Sequence, residues 1–302
     1  MSKRILGLWN MGDGMFHKIL SPRDSKHLIK EAIKSGIIAF DSAYSYKSAD
    51  NYLYSALKEL SIDRKDIEII SKVMPVPTLN KKVSISLNRL HTDYLDALLL
   101  HWPSDTISVY NAMRELENLH QKGRAKEIGV SNFPLSLLEK IAKDFPITIH
   151  ERPLSLIWCR DFEEEKALGL KTYGYAPLGM GTLAKEMNLE SDINWDNALA
   201  GFDDSRKNLY IFKEGLKEYK ILMKEIGILS ARYNCTFSDI ALSWVDSLDP
   251  HAIIFGASRI EHLKYRKINL ETEEFDSLSE LSASLGKKAP SDNIFSHDYL
   301  LH

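Results

Sequence analysis

Three polar residues stand at the ends of three successive apolar runs: Asp41 after IIAF, Lys72 after EIIS and His101 after ALLL. An acid, an amine and an imidazole at such places each cost desolvation energy unless they are paired. Taken singly, Asp41 reads as a turn or helix cap, Lys72 as a side chain that snorkels to water, and His101 as a core histidine bonded to backbone. Taken together, at equivalent positions of consecutive strands, they read as one rim where acid–base chemistry can occur. Two phenols, Tyr44 and Tyr46, follow Asp41 closely. Residue type alone does not choose between them, nor between a proton-transfer site and a Schiff-base site built on Lys72.

The elements that must position these residues alternate along the chain. Candidate strands are 5–9, 37–43, 66–73, 94–102, 127–132, 146–151, 170–178 and 252–258. Between them lie stretches with helical spacing of apolar residues. Ser21 as cap, Pro22 at the first helical position and Gly36 as stop delimit the first helix. Asp50 is expected to start the second, which runs to Leu60. The run YLDALLLHW is continuously apolar, the mark of a strand buried on both faces. Two helices, roughly 208–232 and 236–248, precede the eighth strand. Eight strand–helix units predict a single (β/α)8 TIM barrel of class α/β over residues 1–302. An excursion at about 182–207 and a polar tail from about 286 fall outside the pattern. In such a barrel the strands' C-terminal ends carry the chemistry.

Composition narrows the class further. The 302 residues are 44% hydrophobic with a net charge of −3, acids and bases being interspersed. No nucleic-acid surface, polybasic patch or membrane partner is expected. No apolar stretch approaches a bilayer span, and the N-terminus lacks the long core of a signal peptide. Cys159 and Cys235 are far apart, which points to a reduced, cytoplasmic setting. No H-x-H pair or other metal motif occurs, so no metal is expected. No oligomeric state can be assigned.

Several segments resemble the aldo-keto reductase family, in the branch that includes bacterial reductases and potassium-channel β subunits. AFDSAYSY resembles its FDTAxxY segment, with Tyr46 five residues after Asp41. LNRLHTDYLDALLLHWP, KGRAKEIGVSNF and YGYAPLGMGTL are similar to its SLxRLxxDYxDxxxxHxP, GkvRxxGvSNf and aYSPLgxGxL segments. FSDIALSWV and AIIFGASRIEHL match its late elements. The likeness runs from about residue 5 to 270.

The resemblance implies a catalytic tetrad of Asp41, Tyr46, Lys72 and His101, and it selects Tyr46 over Tyr44. An ammonium beside a phenol favours the phenolate, so Lys72 is expected to lower the Tyr46 pKa while Asp41 keeps Lys72 charged. A neutral His101 would polarise the substrate oxygen. The implied reaction is reduction of an aldehyde, ketone or sugar carbonyl, with NADPH preferred and NADH possible. Ser131, Asn132 and Glu151 are expected at the nicotinamide carboxamide and Tyr175 against its ring, with Pro177 and Leu178 following. Gly256, Ser258, Arg259 and His262, with Arg266 nearby, are expected at the adenosine end, where a helix N-terminus would favour a phosphate. Trp9, Tyr44 and Trp102, with Met11, would line the substrate pocket.

The chain also departs from the pattern. Glu151 stands where the family has Gln; it can accept from a carboxamide amine but donates only when protonated. Trp9–Asn10 replaces Gly-Thr, Phe255 replaces Pro, Tyr265–Arg266 replaces Glu-Asn, and the sixth helix is short. Two rival functions remain: an NADP(H)-binding regulatory module with little turnover, and a Schiff-base lyase using Lys72. A charged Lys72 beside Asp41 argues against the lyase.

Overall fold

The computed structural model describes residues 2–12, 20–104, 108–185 and 209–289. Most of the 182–207 excursion and the tail beyond 289 lie outside the described residues. Eight parallel strands close into one barrel in sequence order. They are β1 Lys3–Gly7, β2 Ala39–Asp41, β3 Glu68–Val73, β4 Leu95–Leu100, β5 Ala125–Ser131, β6 Ile149–Pro153, β7 Lys171–Tyr175 and β8 Ala252–Gly256. The closing pair is β1 with β8, in register from Lys3↔Ala252 to Gly7↔Gly256. The TIM-barrel expectation holds. Several strands are shorter than apolar content suggested, because the runs continue into loops: β1 stops at Gly7, and Trp9–Met11 forms a 3-10 turn.

Helices α1 Pro22–Lys34, α2 Ser48–Leu60, α3 Leu79–Leu90, α4 Val109–Gln121 and α5 Leu135–Asp144 follow the first five strands. The Ser21 hydroxyl accepts from the Asp24 amide and caps α1, with Pro22 at its start. Gly36, at φ +85°, supplies the left-handed residue just past its end. After β6, α6 Phe162–Lys166 has only five residues, as the short DFEEEKALG stretch implied. After β7 come α7 Leu216–Tyr233 and α8 Phe237–Ser247, the latter opened by a Thr236–Asp239 capping box. After β8 the chain makes one 3-10 turn, Ile260–Leu263, and then α9 Thr272–Gly286.

Two apolar layers pack outside the barrel, one under α1–α5 and one under α6–α9. The barrel interior is a third core, containing Ile5, Ala39, Ile70, Ala97, Leu99, Ile149, Tyr173, Ala252 and Ile254. Because side chains alternate across a strand, the residue two places onward again faces inward. Two places after Ala39, Ile70, Leu99, Ile149 and Tyr173 stand Asp41, Lys72, His101, Glu151 and Tyr175. The apolar plug therefore gives way to a polar layer at the strands' C-terminal ends.

Candidate active site

Lys72 is the centre of that layer. Its ammonium donates to Asp41 Oδ1 and lies 3.1 Å from Glu151 Oε1 and 3.3 Å from Glu151 Oε2. All three side chains are buried, Lys72 to within 2%. The strand ladder fixes the geometry: Asp41 pairs with Ile70 and Lys72 with Leu99, while the His101 amide donates to the Val73 carbonyl at 2.9 Å. The structure thus brings together the acid, the amine and the imidazole. It adds Glu151, which the sequence suggested for the carboxamide and which has both oxygens within 3.3 Å of Lys72 Nζ.

Tyr46 ends a 3-10 turn, Tyr44–Tyr46, that begins three residues after β2. Its ring centroid is 5.6 Å from Lys72 Nζ and 6.1 Å from the His101 ring, edge to face. Gly12 shapes this turn from outside. A Cβ there would lie 2.6 Å from the Tyr46 carbonyl oxygen and 2.9 Å from its Cα, so the β1 loop passes against backbone that only glycine admits. Tyr44 turns its ring to the α3 cations, 5.1 Å from Lys82 Nζ and 5.2 Å from Arg89 Cζ. Trp102 is buried, and Trp9 is half-buried against the outer core.

Electrostatics follow from burial around one cation. Burial pulls Lys72 down, but Asp41 and Glu151, with Tyr46, outweigh it and hold the ammonium above its ordinary range. Burial also raises Asp41, against the pull of Lys72. Burial and then Asp41 push Glu151 up to about 8, with Lys72 opposing. For Tyr46 burial dominates; Lys72 does lower its pKa as expected, but burial, with Asp41 and Glu151, leaves the phenol above its usual value. The net shift is opposite to the expected one. It keeps the proton on Tyr46 at neutral pH. Burial and the Lys72 charge bring His101 down to about 3, so its ring is neutral.

The next stretch of rim is a hydrogen-bonded set. The Tyr175 hydroxyl donates to Asn132 Oδ1 at 2.7 Å, and Asn132 Nδ2 donates to the His101 carbonyl at 3.0 Å and to Ser131 Oγ at 2.9 Å. Asn132 takes a left-handed φ of +65°. Buried Pro177 and half-buried Leu178 follow Tyr175 into the next turn. Across the mouth, Asn10 Nδ2 donates to the Ala257 carbonyl at 2.7 Å, tying the loops after β1 and β8. Gly256 and Ser258 are exposed, and a Cβ at Gly256 would meet nothing within 4 Å. The Ser258 amide donates to His262 Nδ1 at 3.3 Å, and Arg259 is exposed beside them.

Three expectations need correction. No α-helix starts at 259; the element there is the single 3-10 turn Ile260–Leu263, too short to offer a helix terminus to a phosphate. Arg266 is anchored elsewhere, its guanidinium donating to the Asn234 carbonyl at 3.0 Å and its amide to Asp239. Asp50 is the third residue of α2 rather than its start; it is fully buried and accepts from the Ser42 hydroxyl at 2.6 Å. The departures Phe255 and Tyr265 have a shared role on the outer face, where the Arg4 guanidinium lies 4.4 Å from one ring centroid and 5.9 Å from the other.

The donor set suits a nicotinamide dinucleotide at most points: a half-buried tyrosine ring, a serine–asparagine pair, an open backbone at Gly256 and an exposed arginine. Glu151 differs in that its oxygens also contact Lys72.

Comparison with known proteins agrees with this fold. Residues 4–283 match the model of the Aldo/keto reductase family. A glyoxal reductase of Bacillus subtilis is 33% identical over 183 residues, covering 57% of this chain and 64% of that reductase, a little under two thirds of its length. Among solved structures, a glycerol dehydrogenase of Gluconobacter oxydans superposes with a TM-score of 0.77 at 22% identity, covering 96% of this chain and 94% of that one. An aldo/keto reductase of Klebsiella pneumoniae in complex with NADP and acetate gives 0.69 at 21% identity, covering 96% and 93%.

Proposed function

The chain belongs to the aldo/keto reductase family, and from that footing we propose that it reduces an aldehyde, ketone or sugar carbonyl to the alcohol with NADPH, Tyr46 giving the proton. The observation that carries this reading is the cluster of buried Asp41, Lys72 and Tyr46 with half-buried His101, gathered beyond the ends of β2, β3 and β4. NADPH, when bound, supplies the hydride. The protein's own groups then manage the developing negative charge on the substrate oxygen. Neutral His101 orients that oxygen by hydrogen bonding. Tyr46, which holds its proton at neutral pH, releases it as the new O–H bond forms. The phenolate left behind is stabilised by the Lys72 ammonium, which Asp41 keeps charged. The same raised Lys72 pKa speaks against a Schiff-base role, which needs a neutral amine.

Ser131, Asn132 and Tyr175 are assigned to the nicotinamide end, and Gly256, Ser258, Arg259 and His262 to the adenosine end. Trp9, Tyr44 and Trp102 are assigned to the substrate pocket. The likeness to a glyoxal reductase favours small reactive dicarbonyls as first probes. The deciding measurement is NADPH oxidation with glyoxal and a panel of aldehydes, ketones and sugars. Tyr46→Phe should lose about a hundredfold or more in kcat while binding NADPH as the native chain does. Turnover retained in Tyr46→Phe would remove Tyr46 from the role. A native chain that binds NADPH but reduces no carbonyl would instead be a regulatory module.

A further inference from the structure

The chemistry above gives tasks to Asp41, Tyr46, Lys72 and His101, and none to Glu151. We propose that Glu151 is a positioning residue of the same reaction, acting through Lys72 as a second, proton-carrying carboxyl that lets Tyr46 release its proton readily only while Glu151 holds its own. The proposal rests on the reductase reading of the cluster and deepens it.

The geometry carries it. Glu151 ends up on Lys72 because it pairs with Ser131 on β5 and Tyr173 on β7 and faces inward two residues beyond Ile149. Both its oxygens are within 3.3 Å of Nζ, and its side chain is 4% exposed. It shares that ammonium with Asp41, the two carboxyls flanking one Nζ. Two buried carboxyls on one ammonium resist ionising together, since two bare carboxylates repel. One ammonium therefore serves Asp41, Glu151 and, during turnover, the Tyr46 phenolate. With Glu151 protonated, that moment has two anions around one cation. With Glu151 ionised, it has three around one buried ammonium, and release of the Tyr46 proton becomes costly. A glutamine at this position would not titrate, so the carboxyl makes the site's charge depend on pH.

The groups facing Glu151 are Asp41 from β2, Lys72 from β3, Tyr46 from the turn after β2, and Tyr173 and Tyr175 from β7. Neighbouring Arg152 is engaged on the other side, 2.7 Å from Glu165. Neutral His101 adds no charge. Lys72 is thus the cation that favours ionisation of the pair, and burial with Asp41 outweighs it to place the Glu151 midpoint near 8. The proton count closes over a cycle: the Tyr46 O–H bond breaks as the substrate O–H bond forms, water restores the phenol, and Glu151 is unchanged.

The test has one readout without turnover and one with it. In protein carrying 13C-labelled glutamate and tyrosine, one glutamate carboxyl should titrate near pH 8. The Tyr46 Cζ signal should show an inflection at the same midpoint, absent in Glu151→Gln. The native titration needs no variant, so it stands even if Glu151→Gln fails to fold. With NADPH and glyoxal, native kcat for reduction should fall about tenfold or more above that midpoint, whereas Glu151→Gln keeps its plateau. A Glu151 carboxyl titrating near pH 4–5, or a descending limb identical in Glu151→Gln, overturns the proposal while leaving the reductase reading intact. No turnover with any carbonyl, alongside the expected carboxyl and Tyr46 signals, refutes the reductase reading and leaves the Glu151–Lys72–Tyr46 coupling standing.

Discussion

Lys72 holds two carboxyls in place, and its removal tests how the buried charges are balanced. Breaking a buried ion pair by deleting one partner costs about 3–5 kcal/mol. Lys72→Met leaves Asp41 and Glu151 with no cation, so both fold only by taking protons. Their folded pKa values, already raised, move further above the unfolded ones. Stability is then present below the unfolded carboxylate pKa and lost as pH rises through the folded values. Urea unfolding should show Lys72→Met losing about 3–5 kcal/mol at pH 8 and clearly less at pH 5; an equal loss at both would contradict the balance described. Asp41, Lys72 and His101 were legible in the sequence because each breaks an apolar run at the inward parity. Glu151 has the same parity, two residues after Ile149, yet its partner was not legible. Parity says which way a side chain faces and not which of several inward neighbours it reaches.

Among the elements, the Tyr44–Tyr46 turn depends on what lies against it. Gly12 touches the Tyr46 backbone, and a methyl there at 2.6 Å from its carbonyl has no flexible side chain to displace. Gly12→Ala should therefore shift Tyr46 relative to Lys72 and lower kcat by up to about a hundredfold, with the Tm little changed because the strands are untouched. Unaltered kinetics would show that the loop yields instead of the turn. Behind the turn, Asp50 ties α2 to Ser42, and burial pushes its carboxyl up to about 7 despite that hydrogen bond. A raised acid favours the fold at low pH and loses that contribution as pH rises, here between about 4 and 7. Asp50→Asn keeps a hydrogen-bond acceptor and should remove a few kcal/mol of that decline, read from urea midpoints at pH 5 and 8. Helix α1 was legible to its cap because Ser21, Pro22 and Gly36 act through local backbone geometry. The turn after β8 was not: IEHL has helical-looking residues, but Arg4 on β1 accompanies it, donating to the Leu263 carbonyl at 2.9 Å in a bond that local propensity cannot foresee.

At the scale of the whole molecule, the alternation of apolar runs and amphipathic stretches specified the barrel, because eight such units bury their strands only by closing. Its mouth divides into an ionic arc on β2–β4 and β6 and an open edge at β8. The open edge is where cofactor choice is expected to lie. Arg259→Ala, an exposed change, should raise the KM for NADPH about tenfold and leave that for NADH alone; equal effects on both would place Arg259 away from the adenosine 2′-phosphate that distinguishes NADPH from NADH. The closing β1–β8 pair has a consequence for synthesis. Strand β1 is made first, but its partner on one side is encoded some 250 residues later. A nascent chain can pair β2, β3 and β4 as they emerge, so the strands bearing Asp41, Lys72 and His101 meet early. The first strand keeps a bare edge until the eighth leaves the ribosome. Translation arrested before Ala252 would yield a chain that already has the proposed site residues in line but no closed wall to keep water from them.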